Sequence, residues 1–218
     1  MKKRIGLVLS GCGVKDGSEI HEAVAALLAI DRSGAQVVCM APDTEFEVVN
    51  HLTGQPTGEK RKVLLESARI ARGDIQNMAE IKAANLDALI FPGGFGAVKN
   101  LSDFATKGAK ATVFPEVIRL LKEMIAAKKP VGGICIAPAT IAAVLGGKIH
   151  PSLTIGTDPN TAEILEQLGA QHELTSVDEV VIDSKNKIVS TSAYMLAKNI
   201  SEVFYGIEKL VKEVIKLS

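Results

Sequence analysis

Val131-Gly132-Gly133-Ile134-Cys135-Ile136-Ala137-Pro138 joins a short apolar run to an apolar segment with helical character, and the change falls at the cysteine. Gly133 stands two residues before Cys135 and Ala137 two residues after it. That spacing matches a nucleophile elbow, a sharp strand-to-helix turn that needs small flanking residues because larger ones would clash. Just upstream, residues 115–128 place Val117, Ile118, Leu121, Met124 and Ile125 on one helical face, with Pro115 suited to the first turn and lysines closing the last. Helix, strand, elbow, helix is the grammar of an α/β protein.

The same alternation extends in both directions. Apolar runs at residues 5–10, 36–40, 86–91, 131–135, 153–156, 180–183 and 188–191 predict strands, and residues 19–33, 159–168 and 193–217 predict further helices. Residues 183–187 read as a hairpin turn between two short strands. The pattern predicts one domain with a mostly parallel sheet. Ligands of such sheets bind outside the carboxyl ends of the strands, so residues 10–18, 92–100, 135–138 and 156–160 are expected to converge.

Composition narrows the function. The 218 residues carry 25 basic and 25 acidic side chains, a net charge of zero that argues against a nucleic-acid or membrane-surface partner. Aromatic residues are 4% with no Trp, so the core must be aliphatic. Cys12, Cys39 and Cys135 show no Cys-x-x-Cys spacing, and His21, His51, His150 and His172 show no ligand spacing, so neither a disulfide framework nor a metal site is expected. With no signal-peptide pattern and no apolar stretch of about 18 residues, the expected address is the cytoplasm.

At the predicted elbow, the helix dipole and free N–H groups are expected to favour the Cys135 thiolate and lower its pKa. Phe91-Pro92-Gly93-Gly94-Phe95-Gly96 follows another strand, and its glycines let N–H groups point into a cavity. The N–H of Gly94 with that of Ile136 would form an oxyanion hole. Residues 10–22 resemble a dinucleotide fingerprint only superficially, because Asp16 occupies the third glycine position and would repel a pyrophosphate. Glu19 and Glu22 share a helix face; one of them beside Cys135 would be pushed toward its neutral form, while the alternative is an acid that complements the helix dipole. Cys39 reads as core.

Together, residues 134–138, the Pro92-Gly93-Gly94 turn and the first-helix glutamate resemble the ThiJ/PfpI branch of the class I glutamine amidotransferase-like superfamily. Residues 10–23, 50–54, 92–101, 154–158 and 193–197 closely resemble its ElbB group, named for enhanced lycopene or isoprenoid biosynthesis and also described as glyoxalase ElbB. The resemblance covers essentially residues 1–218 as one domain and implies a flavodoxin-like three-layer α/β sandwich. It implies Cys135 as nucleophile, Gly94 as oxyanion donor and Glu22 as acidic partner, with Glu19 the second choice; it also implies a homodimer. Gly93, Cys12, Thr157 and Asp158 complete the expected pocket.

One departure separates mechanisms. Where many relatives place a histidine after the strand that follows the elbow helix, this chain has Gly156-Thr157-Asp158-Pro159, and neither His150 nor His172 is an obvious replacement. Thr157 and Asp158 are expected to face the pocket instead, their alternative being to cap the helix that begins at Pro159. Cys12 could approach Cys135 as a resolving thiol or be a simple loop cysteine. Glutamine hydrolysis needs a base for the thiol and the leaving amine. A glyoxalase III-type conversion of methylglyoxal or glyoxal to lactate or glycolate asks for less, with no metal, glutathione or other cofactor. A thiol redox sensor built on Cys135, or an amidotransferase-like accessory to isoprenoid metabolism, are the alternatives.

Overall fold

The structure, a computed structural model, describes residues 2–218. The chain begins with β1 (Arg4–Val8), α1 (Ile20–Arg32) and β2 (Gln36–Ala41). A hairpin of β3 (Glu45–Val49) and β4 (Pro56–Lys62) leads to α2 (Val63–Ile70), β5 (Gln76–Asn77) and β6 (Ala88–Phe91). Two short helices, α3 (Gly96–Lys99) and α4 (Phe104–Lys107), precede α5 (Pro115–Ala126), β7 (Val131–Ile134) and α6 (Ala137–Ile149). The remainder comprises β8 (Ser152–Leu153), α7 (Pro159–Gln167), β9 (Gln171–His172), β10 (Val181–Asp183), β11 (Ile188–Thr191) and α8 (Ile200–Leu217).

Seven strands form the central sheet in the order β10-β11-β7-β6-β1-β2-β5. Every neighbouring pair is parallel except β10 with β11 at one edge. Strands of such a sheet are covered on both faces, which is why β6 and β7 are buried at every position instead of alternating. Ile5, Leu7, Ile90, Ile134 and Val189 pack on Ala23, Ala26 and Ile30 of α1 and on Ile207, Leu210, Val211 and Val214 of α8. On the opposite face Val8, Leu89, Phe91 and Val131 meet Val117, Leu120, Leu121 and Met124 of α5 and Ile141 and Leu145 of α6. The result is the three-layer α/β sandwich with a mostly parallel sheet.

Local differences from the sequence reading have physical causes. The strand expected over residues 153–156 stops at Leu153 and pairs with β9 outside the main sheet. There the Thr154 N–H turns to the Ser190 hydroxyl at 2.8 Å, and Gly156 takes a positive φ of 96°. The helix expected over residues 193–217 is broken: Ala193–Met195 form one 3₁₀ turn, and α8 starts at Ile200 with the Asn199 side chain accepting from the Glu202 N–H. On α5, Leu120 is buried, whereas Ile118 and Ile125 are half-buried.

Gly132 and Gly133 let helices approach β7 from both sides. A Cβ on Gly132 would lie 3.0 Å from Leu210 Cδ2, and one on Gly133 would lie 2.8 Å from Ile141 Cδ1 and 3.1 Å from Pro138 Cγ. Gly133→Ala is therefore expected to destabilise the protein by about 1–3 kcal/mol, the usual cost of overpacking a filled core. Denaturant unfolding checks this; an unchanged midpoint would contradict it.

Candidate active site

Four chain segments leave the carboxyl ends of β1, β6, β7 and β11 and meet beside the point where strand order reverses, with β2 on one side of β1 and β6 on the other. Cys135 sits at the tip of the third. Its φ is +59°, a left-handed conformation that costs a non-glycine residue about 1–2 kcal/mol. The turn is held by the Cys135 N–H donating to the Thr191 carbonyl at 2.8 Å, and α6 begins two residues later at Ala137. Backbone N–H groups of Gly94 and Ile136 donate toward the sulfur. These donors come from the glycine turn and the elbow, as the oxyanion reading requires.

Gly94 has a φ of +88°, and a Cβ on it would strike the backbone of Gly17 and Glu19. The turn after β6 is thus locked against the loop after β1. Glu19 strengthens the lock, because its N–H donates to the Gly93 carbonyl at 3.0 Å. Its side chain caps α1 by accepting from the Glu22 N–H at 2.7 Å.

Glu22, in the first turn of α1, is fully buried. Its Oε2 accepts from the Gly93 N–H at 2.9 Å and its Oε1 from the Tyr194 N–H at 3.3 Å, while the carboxyl is hydrogen-bonded with the Cys135 thiol. A Cβ on Gly93 would lie 2.5 Å from Cys135 Cβ and 2.6 Å from Glu22 Oε2. Only glycine leaves room for that contact. Ala193, with a φ of +39°, is the strained position just before the Tyr194 N–H that Glu22 receives.

Burial raises the Glu22 pKa from its ordinary carboxylate value to about 8, and the nearby charge of Glu19 adds to this, against the hydrogen bonds from Cys135, Tyr194 and Gly93. The Cys135 thiol is also pushed up, by burial first and then by Glu22, while the Gly94 and Ile136 N–H groups pull it down. This corrects the expected lowering by the helix terminus. Loss of solvent and the facing carboxyl outweigh the two N–H groups, so the pair retains protons near neutrality.

Above Cys135 opens a cavity of about 340 Å³, lined by Val14, Glu19, Gly94, Phe95, Cys135, Ile136, Thr161, Tyr194 and Met195. Gly93 lies behind the wall, between Cys135 and Glu22. Thr157 is exposed and Asp158 accepts from the Thr161 N–H at 2.8 Å as the cap of α7, so Thr161 stands in the wall where those two were expected. Cys12 has Glu66, Arg69 and Asp16 as charged neighbours and does not line this cavity. His150 Nδ1 lies 2.8 Å from the Gly169 carbonyl, and His172 Nε2 accepts from the Ile155 N–H. Neither reaches Cys135. Tyr194 was missed as a site residue because the break between the 3₁₀ turn and α8 carries no periodic signal; His21, whose Nδ1 is 2.7 Å from the Tyr194 hydroxyl, was missed with it.

A carboxyl that ionises near 8 when folded and near 4.5 when free keeps its proton in the folded state over that interval. The folded state then binds more protons than the unfolded one, so stability is greatest below the free value and falls as pH rises toward the folded one, by up to about 1.4 kcal/mol per pH unit. The unfolding free energy of the wild type is expected to decline more steeply between about pH 5 and 8 than that of Glu22→Gln. Parallel profiles in denaturant titrations would contradict this.

The chain matches the model of the family described as "Glutamine amidotransferase class-I" over residues 57–211. It is 47% identical to the "ES1 protein homolog, mitochondrial" of Rattus norvegicus, covering 100% of this chain and 85% of the relative. It is 48% identical to the human "Glutamine amidotransferase-like class 1 domain-containing protein 3, mitochondrial", covering 99% and 83%. A solved structure from Ehrlichia chaffeensis, titled an isoprenoid biosynthesis protein with amidotransferase-like domain, superposes with a TM-score of 0.93 at 35% identity over 99% of both chains. The names of the two mammalian relatives correct the cytoplasmic address, for which the lack of an apolar span was no evidence. The matched segment and the full-length relatives agree with the elbow and glycine turn: the chain belongs to the class I glutamine amidotransferase family and has its ThiJ/PfpI fold.

Proposed function

We propose that the protein is a cofactor-independent glyoxalase that converts small 2-oxoaldehydes such as methylglyoxal and glyoxal to 2-hydroxy acids. The observation that carries the reading is the buried contact between Glu22 and Cys135, beneath a cavity large enough for a small carbonyl compound. In the form of the pair that holds one proton, the thiol passes its proton to Glu22 as Sγ adds to the aldehyde carbon C1. Glu22 returns that proton to the aldehyde oxygen O1, whose developing charge faces the Gly94 and Ile136 N–H groups. The regenerated carboxylate then takes the hydrogen of C1 as a proton and delivers it to the neighbouring carbon C2, while O1 loses its proton and O2 gains one, which leaves a thioester beside an alcohol. Water adds to the resulting thioester, the C–S bond breaks, and the 2-hydroxy acid leaves with the thiol restored.

Glutamine hydrolysis fits less well, since among the described residues no imidazole lines the cavity with Cys135. Thiol sensing fits less well too: sensor cysteines are exposed and low in pKa, whereas this thiol is buried and raised.

Lactate formation from methylglyoxal without glutathione or metal tests the proposal. Cys135→Ala is expected to abolish turnover and Glu22→Gln to reduce it by at least about 100-fold, the usual worth of a general acid–base group. Because Glu22 must be a carboxylate to take the C1 proton, kcat/KM is expected to rise with pH along a limb centred near 8. A folded wild type without turnover, or a rate indifferent to Cys135, would overturn the reading.

A further inference from the structure

The glyoxalase reaction moves a second proton, from O1 to O2, and this inference, which rests on that reading, concerns the group that carries it. Moving hydrogen from C1 to C2 turns an aldehyde–ketone pair into a thioester–alcohol pair. The electron pair of the C1–H bond forms the C1=C2 bond of an enediolate and places negative charge on the ketone oxygen O2. To collapse to the thioester, C2 must gain a proton, O1 must lose one and O2 must gain one. Glu22 is occupied with the carbon-to-carbon transfer, so the oxygen-to-oxygen transfer needs a second carrier. His150 and His172 do not supply it, because they bond elsewhere, and the segment after β8 ends in the Asp158 cap.

The cavity offers another group. Tyr194 lines it together with Cys135, and the Tyr194 backbone N–H donates to Glu22 Oε1, so the residue is anchored to the carboxyl that performs the first transfer. Its hydroxyl is 2.7 Å from His21 Nδ1, and the two rings are 5.8 Å apart. His21 is half-exposed in its side chain and also lies 4.0 Å from Glu19 Oε1. It immediately precedes Glu22 on α1, so one turn of helix presents both the buried proton carrier and the ring that holds the hydroxyl.

We infer that Tyr194 is the second proton carrier of the reaction and that His21 is its positioning residue. The Tyr194 O–H gives its proton to O2 as charge develops there and recovers one from O1, so the phenol ends the step unchanged. His21 fixes the direction of the hydroxyl and shares the charge of the transient phenolate. The burial of the phenol and the charges of Glu19 and Glu22 raise its pKa, which keeps it protonated and able to donate at the start of each cycle.

Steady-state kinetics with methylglyoxal, read together with the rate of Cys135 alkylation by iodoacetamide, test this. In Tyr194→Phe, kcat is expected to fall about 100-fold with KM unchanged, and alkylation is expected to proceed at the wild-type rate because the elbow and Glu22 stay in place. His21→Ala is expected to lower kcat in the same direction, and His21→Gln, whose amide can still hold the hydroxyl, to recover most of it. A wild type that turns over while Tyr194→Phe retains its kcat would overturn this inference alone. Loss of kcat matched by an equal loss of alkylation would also overturn it, by marking Tyr194 as structural support. A wild type with no lactate formation would instead remove the glyoxalase reading on which it rests.

Discussion

A carboxyl group buried away from solvent is the constraint on which the rest of the site depends. Burying a charge without partners is costly, and the usual escape is to keep the proton. Glu22 has two backbone N–H donors and one thiol for company, and no cation among its hydrogen-bond partners. That supply is enough to hold the group in place and too little to ionise it at neutral pH. In the proposed reaction the carboxylate formed as pH approaches 8 is the base that a cysteine without a histidine requires.

Several otherwise expensive features follow from placing that carboxyl against the sulfur. Cys135 and Ala193 both adopt left-handed backbone, and each is over-determined by its neighbours: one by the Thr191 carbonyl and the start of α6, the other by the turn that brings the Tyr194 N–H to Glu22. Local strain of this kind persists only where the surrounding structure compensates it. The scaffold supplies the compensation through β7, whose two glycines admit α8 on one face and α6 on the other and so fix the elbow between packed helices. The loop after β1 completes the frame, since Glu19 ties the turn after β6 to the start of α1 with both its backbone and its side chain.

The fold was legible because its strands are buried on both faces, so runs such as residues 86–91 stand out from the amphipathic α5 without any need of alternation. The β3–β4 hairpin was invisible for the opposite reason: Pro-Thr-Gly-Glu-Lys-Arg-Lys in β4 is almost wholly exposed and shows no apolar face. That Cys135, Gly94, Ile136 and Glu22 come together at one turn was legible from spacing and resemblance, since an elbow dictates small residues at fixed offsets. Asp158 misled because a carboxylate before Pro159 satisfies both a pocket and a helix cap, and the cap is the shorter reach. The sign of the thiol shift misled because helix position is local, whereas desolvation is set by side chains far away in sequence. Tyr194 and His21, 173 positions apart, illustrate the same limit: no sequence pattern announces a hydrogen bond between a 3₁₀ turn and the first turn of α1.

The protonation state of Glu22 is what the account stands or falls on, and infrared difference spectroscopy across a pH titration reports it directly. The account predicts a protonated-carboxyl C=O stretch that persists through neutrality, disappears with a midpoint near 8, and is absent from Glu22→Gln. A spectrum with no such band at pH 7, with Glu22 already ionised beside Cys135, would contradict it.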